Sequence, residues 1–355
     1  MGGTSSTPVP RDLRPSMCAV PRLSIGLPVY NGEGLLPAAL DALLGQSFVD
    51  FELIISDNAS TDDTEAVCRR YAEQDSRIRY IRQPHNIGMV ANHNYLVGLA
   101  RGEFFKWASH DDLYARAFLK RCVDALDEHP EASLAHAWCV LMDEAAKPVQ
   151  LLTYPIGTAS PRAPERFRSM LFDGKGDWTY AMFRTEILRK TPLHGTYHGG
   201  DRTLIAEFSL HGTLHQVPEW MFFRRDHPNR HQSAREWSAG FDPRRANRLR
   251  HPAIRLYGEY VWGFASAVWR SPLQPVEKRA CFGALARWLA SRIVPGPVQA
   301  EEQESLGTQP LLYMVRRLAG RILPPRVAPS AEESCTQPSD IKIEALVPGF
   351  ERKGP

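Results

Sequence analysis

The tetrapeptide Ser109-His110-Asp111-Asp112 follows the apolar run from Glu103 to Trp107, so two adjacent carboxylates and an imidazole stand where a buried strand gives way to a loop. Hard carboxylate oxygens in that position suit a divalent cation and the phosphates it carries. Acidic pairs also serve as solvated loop residues or helix caps, and the tetrapeptide takes its meaning from its surroundings. Tyr30-Asn31 and Asp57-Asn58 end two earlier apolar runs. From Arg224 to Arg255 the chain carries nine arginines against Asp226, Glu236 and Asp242, which makes either a solvated basic face or an anion site.

The elements that must position these groups follow from the hydrophobic pattern. Leu23 to Val29 is a short β-capable run ending in the turn residues Asn31-Gly32, and a helix follows from Leu35 to Leu44 with Pro37 in its first turn. Phe51 to Ser56 reads as a buried strand, and Ser60-Thr61-Asp62-Asp63 as an N-cap cluster opening a helix to about Asp75. Strands at Arg77 to Arg82 and Glu103 to Trp107 flank a helix from Gly88 to Ala100. Strand and helix in alternation predict an α/β fold, a Rossmann-like, mostly parallel sheet flanked by helices. In such a sheet ligands sit beyond the carboxyl ends of the strands, where Tyr30-Asn31, Asp57-Asn58 and His110-Asp111-Asp112 all fall.

Farther along, Leu113 to Glu128 reads as helix and Ser133 to Met142 as strand, and the Pro-rich, irregular stretch from Asp143 to Pro164 marks a boundary. Next come a short helix (Pro164 to Phe172), a glycine-rich loop (Gly174 to Trp178), a strand near Thr179 to Phe183, a helix near Asp201 to Leu210 and a strand near Leu214 to Phe223. Helices are expected at about Pro252 to Trp269 and Pro275 to Ile293. The expected division is a flexible leader at 1–22, a first half at 23–142, a second half at 143–230, a C-terminal helical extension at 231–324 and a disordered tail at 325–355.

A chain of 355 residues with net charge +3 gives no bulk electrostatic reason to bind nucleic acid. No stretch approaches the roughly 18 to 20 uninterrupted apolar residues that a membrane span needs. The Pro-rich leader lacks the apolar core of a secretory signal, and the six scattered cysteines form no metal spacing, so a cytoplasmic protein is expected.

Four motifs in register now carry a resemblance. They are Leu27-Pro28-Val29-Tyr30-Asn31-Gly32, the stretch Ile55 to Thr64 with Asp57-Asn58-Ala59-Ser60, His85-Asn86-Ile87-Gly88, and His110-Asp111-Asp112. Together they resemble the ordered motifs of glycosyltransferase family 2 over about Leu23 to Arg230. The resemblance implies the A-type nucleotide-sugar fold, with 23–142 as the nucleotide-sugar-binding half and 143–230 as the acceptor-binding half. It implies an enzyme that moves a sugar with inversion from a nucleoside diphosphate donor to an acceptor hydroxyl, as in polysaccharide biosynthesis.

Within that resemblance, Pro28, Tyr30, Asn31, Asp57 and Asn86 belong to the nucleotide site. Asp57 either accepts from a nucleobase or ribose, or caps the turn at Ser60. Asp111 is the ligand expected for Mg²⁺ or Mn²⁺, and Asp112 either touches the sugar or orients the loop. The family usually carries an acidic residue two positions before Asp111, where this chain has Ser109. His110 is either a ligand or structural. Asp201, opening a helix after Gly199-Gly200, resembles the family's general base, with capping as its alternative role and Asp177 in reserve. His227 is placed to complete the metal shell, and Arg224 or Arg230 to neutralise the leaving diphosphate.

Two other functions compete. A protein that keeps the nucleotide pocket without turnover fits the same motifs. A nicotinamide oxidoreductase is suggested by Gly32-Glu33-Gly34-Leu35-Leu36-Pro37, although Pro37 stands where the third glycine of that fingerprint belongs. The acceptor is left open among a glycan, a lipid-linked molecule and a small molecule. Residues 311–323 form a basic amphipathic segment that either packs on the protein or makes a peripheral contact with the inner face of the membrane.

Overall fold

The computed structural model describes residues 20–153, 157–172, 178–197, 199–226, 253–293 and 337–350. Strands β1 (Leu23–Val29) and β2 (Phe51–Asp57) are buried at every position, as strands covered on both faces must be. They pair in parallel; β3 (Ile78–Arg82) extends the sheet beyond β2, and β4 (Phe104–Trp107) pairs with the other edge of β1. Helices α1 (Leu36–Leu44), α2 (Thr64–Gln74) and α3 (Met89–Leu99) connect these strands. Pro37 stands in the first turn of α1, where its missing N–H costs no hydrogen bond. The order β3-β2-β1-β4 reverses direction between β1 and β4, and such a switch point opens a crevice at the carboxyl ends of the strands.

The sheet continues into the second half as one nine-stranded structure. Strand β5 (Leu113–Tyr114), helix α4 (Phe118–Glu128), β6 (Ala132–Met142) and β7 (Pro148–Leu152) follow in the chain. Helix α5 (Ala163–Phe172), β8 (Met182–Arg184), α6 (Thr185–Leu188), α7 (Gly200–His211) and β9 (Thr213–Arg225) come after them. Strand β8 lies antiparallel between β4 and β6, β9 runs parallel to β6, and β5 runs antiparallel to β9. The strands β1 to β4, β6 and β9 therefore share a direction and present their C-terminal ends along one edge.

Several expectations need correction. The helix expected from Leu113 begins at Phe118, because Leu113 and Tyr114 pair with Phe223 and Phe222 of β9. Helix α2 opens at Thr64, directly after the expected cap cluster, but the N-cap residue Asp63 makes no side-chain cap, and Ser60 and Asp62 bond to the turn after β1. The irregular boundary from Asp143 contains β7, which folds back on β6. The disordered tail expected from 325 does not extend over 337–350, where the short helix α10 (Ile343–Leu346) buries Ile343 and where Val347 is buried too. There the amide of Arg116 donates to the Leu346 carbonyl at 2.8 Å.

Two further helices, α8 (Ala253–Arg270) and α9 (Pro275–Ile293), build a second apolar cluster with α5 and α7. Phe167, Phe264 and Trp288 fill it, and each large apolar side chain buried this way contributes about 1.5–3 kcal/mol. The guanidinium of Arg270 on α8 donates to buried Glu207 on α7, fixing the helix pair to the domain.

Burial lowers the pKa of His136 and of His194 to about 3 each. Both are neutral when folded and take up a proton near 6.5 once unfolded, so the unfolded chain binds more protons between those values. Stability is therefore full above about pH 6.5 and falls as pH drops, with a slope of about 1.4 kcal/mol per pH unit from each residue. Urea unfolding measured from pH 7 to pH 4 is expected to show this loss, and His194→Asn is expected to remove its share of the slope.

Candidate active site

The crevice at the switch point begins where β4 leaves β1. The amide of Ala108 donates to the Gly26 carbonyl and that of Asn58 to the Val29 carbonyl, so alternate residues of β1 face β4 and β2. Pro28 lies on the β4 side, beyond the end of β4 at Trp107, where a residue without an N–H leaves no ladder bond unmade. Tyr30, the next residue after β1, is 45% exposed at the mouth of this gap.

The first wall is a network of side chains bonded to turns. Asn31 has a positive φ of 52°, its amide donates to Ser60 Oγ at 3.0 Å and its Oδ1 accepts from the Thr61 amide at 2.9 Å. The Gly32 amide donates to Thr64 Oγ1 and the Glu33 amide to Asp62 Oδ2. Those are the amides a dinucleotide fingerprint would turn toward a pyrophosphate, so the oxidoreductase reading finds no support here. Asp57 is fully buried; Oδ1 accepts from the Ser60 amide at 2.8 Å and Oδ2 from the Tyr80 hydroxyl at 2.8 Å and from Arg82. Of the two roles weighed for Asp57, this geometry supports capping. Asn86 Oδ1 accepts from Asn58 Nδ2 and from the Gly88 amide, tying the loop before α3 to the end of β2.

The second wall is the loop after β4. Asp111 is nearly buried, and its carboxylate accepts a hydrogen bond from Ser109 Oγ, so the residue that departs from the acidic pattern orients the carboxylate next to it. Asp112 is fully buried and its Oδ1 accepts from the Arg225 amide at 2.9 Å, which ties this loop to the end of β9. The Arg225 side chain is buried and donates to the carbonyls of Asp111, Asp143 and Glu144. Burial lowers the pKa of this guanidinium, opposed by the acidic residues around it. The His110 ring lies against Gly32, where a methyl group would be 2.8 Å from His110 Cδ2, so the two walls meet there.

Beneath this loop, Lys106 is fully buried and its ammonium donates to the Tyr180 carbonyl. The rings of Tyr114, Phe118 and Phe222 stand 4.6, 4.8 and 5.7 Å from that ammonium, a cation-π enclosure. Burial pulls the lysine's pKa down to about 7. Lys106 and Arg225 escaped the reading of the sequence; the one available signal was a lysine inside the apolar run from Glu103 to Trp107.

Among the described residues, no three His, Cys, Asp or Glu side chains are grouped to hold a metal ion by themselves. A cation of the Mg²⁺ type needs no such cage when substrate phosphates supply most of its oxygens, and a single oriented carboxylate, Asp111, fits that arrangement.

Asp201 is exposed in the first turn of α7, and its carboxylate makes no hydrogen bond among the described residues, so it is not spent on capping the helix. Gly199 precedes it with φ of 76°, and a methyl group there would lie 2.5 Å from Tyr260 of α8. The loop leading to Asp201 is seated on the first half through His194, whose ring lies 4.5 Å from Trp107 at the end of β4. Arg224 ends β9 beside Arg225. His227, Arg230, Asp177 and the segment 311–323 lie outside the described residues.

Residues 24–191 match the family model described as Glycosyl transferase family 2. A GalNAc(5)-diNAcBac-PP-undecaprenol β-1,3-glucosyltransferase from Campylobacter jejuni is 26% identical over 188 residues, which cover 52% of this chain and 59% of that protein. TarS of S. aureus, solved with UDP-GlcNAc, superposes with a TM-score of 0.56 at 18% identity, over 80% of this chain and 78% of that one. A mannosyltransferase from Pyrobaculum calidifontis, solved with GDP-Man and Mn²⁺, gives a TM-score of 0.50 at 18% identity, over 88% of this chain and 92% of that one. The two structures establish the fold, and the span from β1 to α6 carries the match to the glycosyltransferase family 2 model.

Proposed function

We propose that this domain transfers a sugar from a nucleoside diphosphate sugar to an acceptor hydroxyl with inversion, that Asp111 holds the diphosphate through Mg²⁺ or Mn²⁺, and that Asp201 is the general base. The observation that carries the reading is the switch-point crevice, where the loop holding the oriented carboxylate of Asp111 meets the turn after β1 through His110 and Gly32. The divalent ion, when bound, neutralises charge on the diphosphate.

The residues divide the work. Tyr30 and the turn at Asn31 border the nucleoside, with Asp57 and Asn86 holding that turn and its neighbour in place. Asp112 and Arg225 fix the loop that presents Asp111. The acceptor oxygen attacks the anomeric carbon as its proton passes to the Asp201 carboxylate, and the bond from that carbon to the diphosphate breaks. Asp201 stands exposed in the first turn of α7, open to an incoming hydroxyl. Arg224 or Arg230 serves the charge that develops on the leaving group, and His227 would complete the metal shell. A lipid-linked glycan is the acceptor class favoured by the name of the Campylobacter relative.

Asp111→Asn is expected to weaken Mn²⁺-dependent binding of nucleoside diphosphates by about tenfold or more in calorimetry while leaving metal-free binding unchanged. Asp201→Asn is expected to retain that binding and lose about 10²–10⁴-fold in the rate of transfer. Full activity in Asp201→Asn refutes the base assignment. Arg225→Met is expected to cost about 2–4 kcal/mol of stability, read from thermal unfolding, because four hydrogen-bonded groups lose a fixed partner or its alignment.

A further inference from the structure

Helices α8 and α9 bury one face of each in the cluster with α5 and α7 and turn the other outward. On the outward face of α8, Trp262 and Trp269 are 72% and 75% exposed. Seven residues apart, they lie on the same side of the helix. Val276 and Phe282 on α9 are exposed as well. Two indoles left in water on one helix face are a costly arrangement for a surface without a partner.

The charge around them selects the partner. Residues 253–293 carry six basic side chains against Glu259 and Glu277, and Arg279 and Arg287 are exposed beside Phe282 on α9. Indoles and arginines together suit the boundary between headgroups and acyl chains, where the ring enters the apolar layer and the guanidinium meets a phosphate. Among the described residues no helix is long and apolar enough to cross a membrane, so contact through this face is contact with one leaflet. We propose that the exposed face of the α8–α9 hairpin docks on an anionic lipid bilayer.

The same hairpin stands against the turn before Asp201. Tyr260, two residues before Trp262, is the ring that excludes a side chain at Gly199, and the Tyr197 hydroxyl lies 2.3 Å from where a methyl group on Gly263 would be. Docking through Trp262 and Trp269 thereby sets the orientation of that turn relative to the bilayer. The inference does not depend on the proposed transfer reaction, since vesicle binding is measured without donor or acceptor.

The test is co-sedimentation of the full chain with phosphatidylcholine vesicles, with and without phosphatidylglycerol. Binding is expected only with phosphatidylglycerol, accompanied by a blue shift of tryptophan fluorescence. The double variant Trp262→Ala, Trp269→Ala is expected to bind about tenfold or more weakly with an unchanged melting temperature, and Arg279→Glu, Arg287→Glu to lose most of the binding at low salt. The proposal is overturned if the wild-type chain ignores phosphatidylglycerol vesicles or if the tryptophan variant binds undiminished. It is equally overturned if light scattering shows that the two tryptophans join copies of the chain and the vesicles bind neither form.

Discussion

A guanidinium closed off from water persists only where hydrogen-bond acceptors surround it, and Arg225 meets that condition with backbone carbonyls. Those carbonyls belong to the loop after β4 and to the turn after β6, while the arginine itself ends β9. The amide of the same residue holds Asp112. Three strand ends far apart in the chain are thus pinned to one side chain, and the position of Asp111 follows from the pin. Lys106 repeats the device one layer down, with aromatic rings in place of most of the carbonyls and a single bond to Tyr180 across the two halves of the sheet.

Most polar residues of the four motifs bond to one another. Asn31 serves Thr61, Asp57 serves Ser60 and Tyr80, and Asn86 serves Asn58 and Gly88. A crevice built this way has little side-chain freedom left to lose when a ligand enters, which lowers the entropic cost of binding. Asp201 differs, since its carboxylate is exposed and makes no hydrogen bond among the described residues. A base of the kind proposed for Asp201 gains from that freedom, whereas a group that shapes a turn does not.

The alternation of strand and helix from Leu23 to Trp107 was legible because β1 and β2 are largely apolar runs and α1 and α2 each carry an amphipathic period. The four motifs were legible because they sit at consecutive strand ends. What escaped was set by tertiary pairing. Leu113 and Tyr114 continue a helical pattern but are claimed by β9, and the turn at Ser60 resembles an N-cap although its side chains answer the turn after β1. Asp57 could be read as a ligand because nothing local reveals that Tyr80 and Arg82 will reach it. Arg225 looked like one member of a basic run, and only the fold shows that it is turned inward.

The return of the chain at 337–350 constrains how the protein can be dissected. Ile343 and Val347 are members of the main apolar core, and the Leu346 carbonyl receives the amide of Arg116 near the start of α4. A methyl group on Gly45, at the end of α1, would collide with Pro348 at 2.4 Å. A truncation anywhere between α9 and residue 337 therefore removes a plug from the first half of the sheet along with whatever it was meant to remove. The amphipathic stretch at 311–323 is better probed by substitutions within it, since cutting it away would confound loss of a surface contact with loosening of the floor on which α1 and α4 rest.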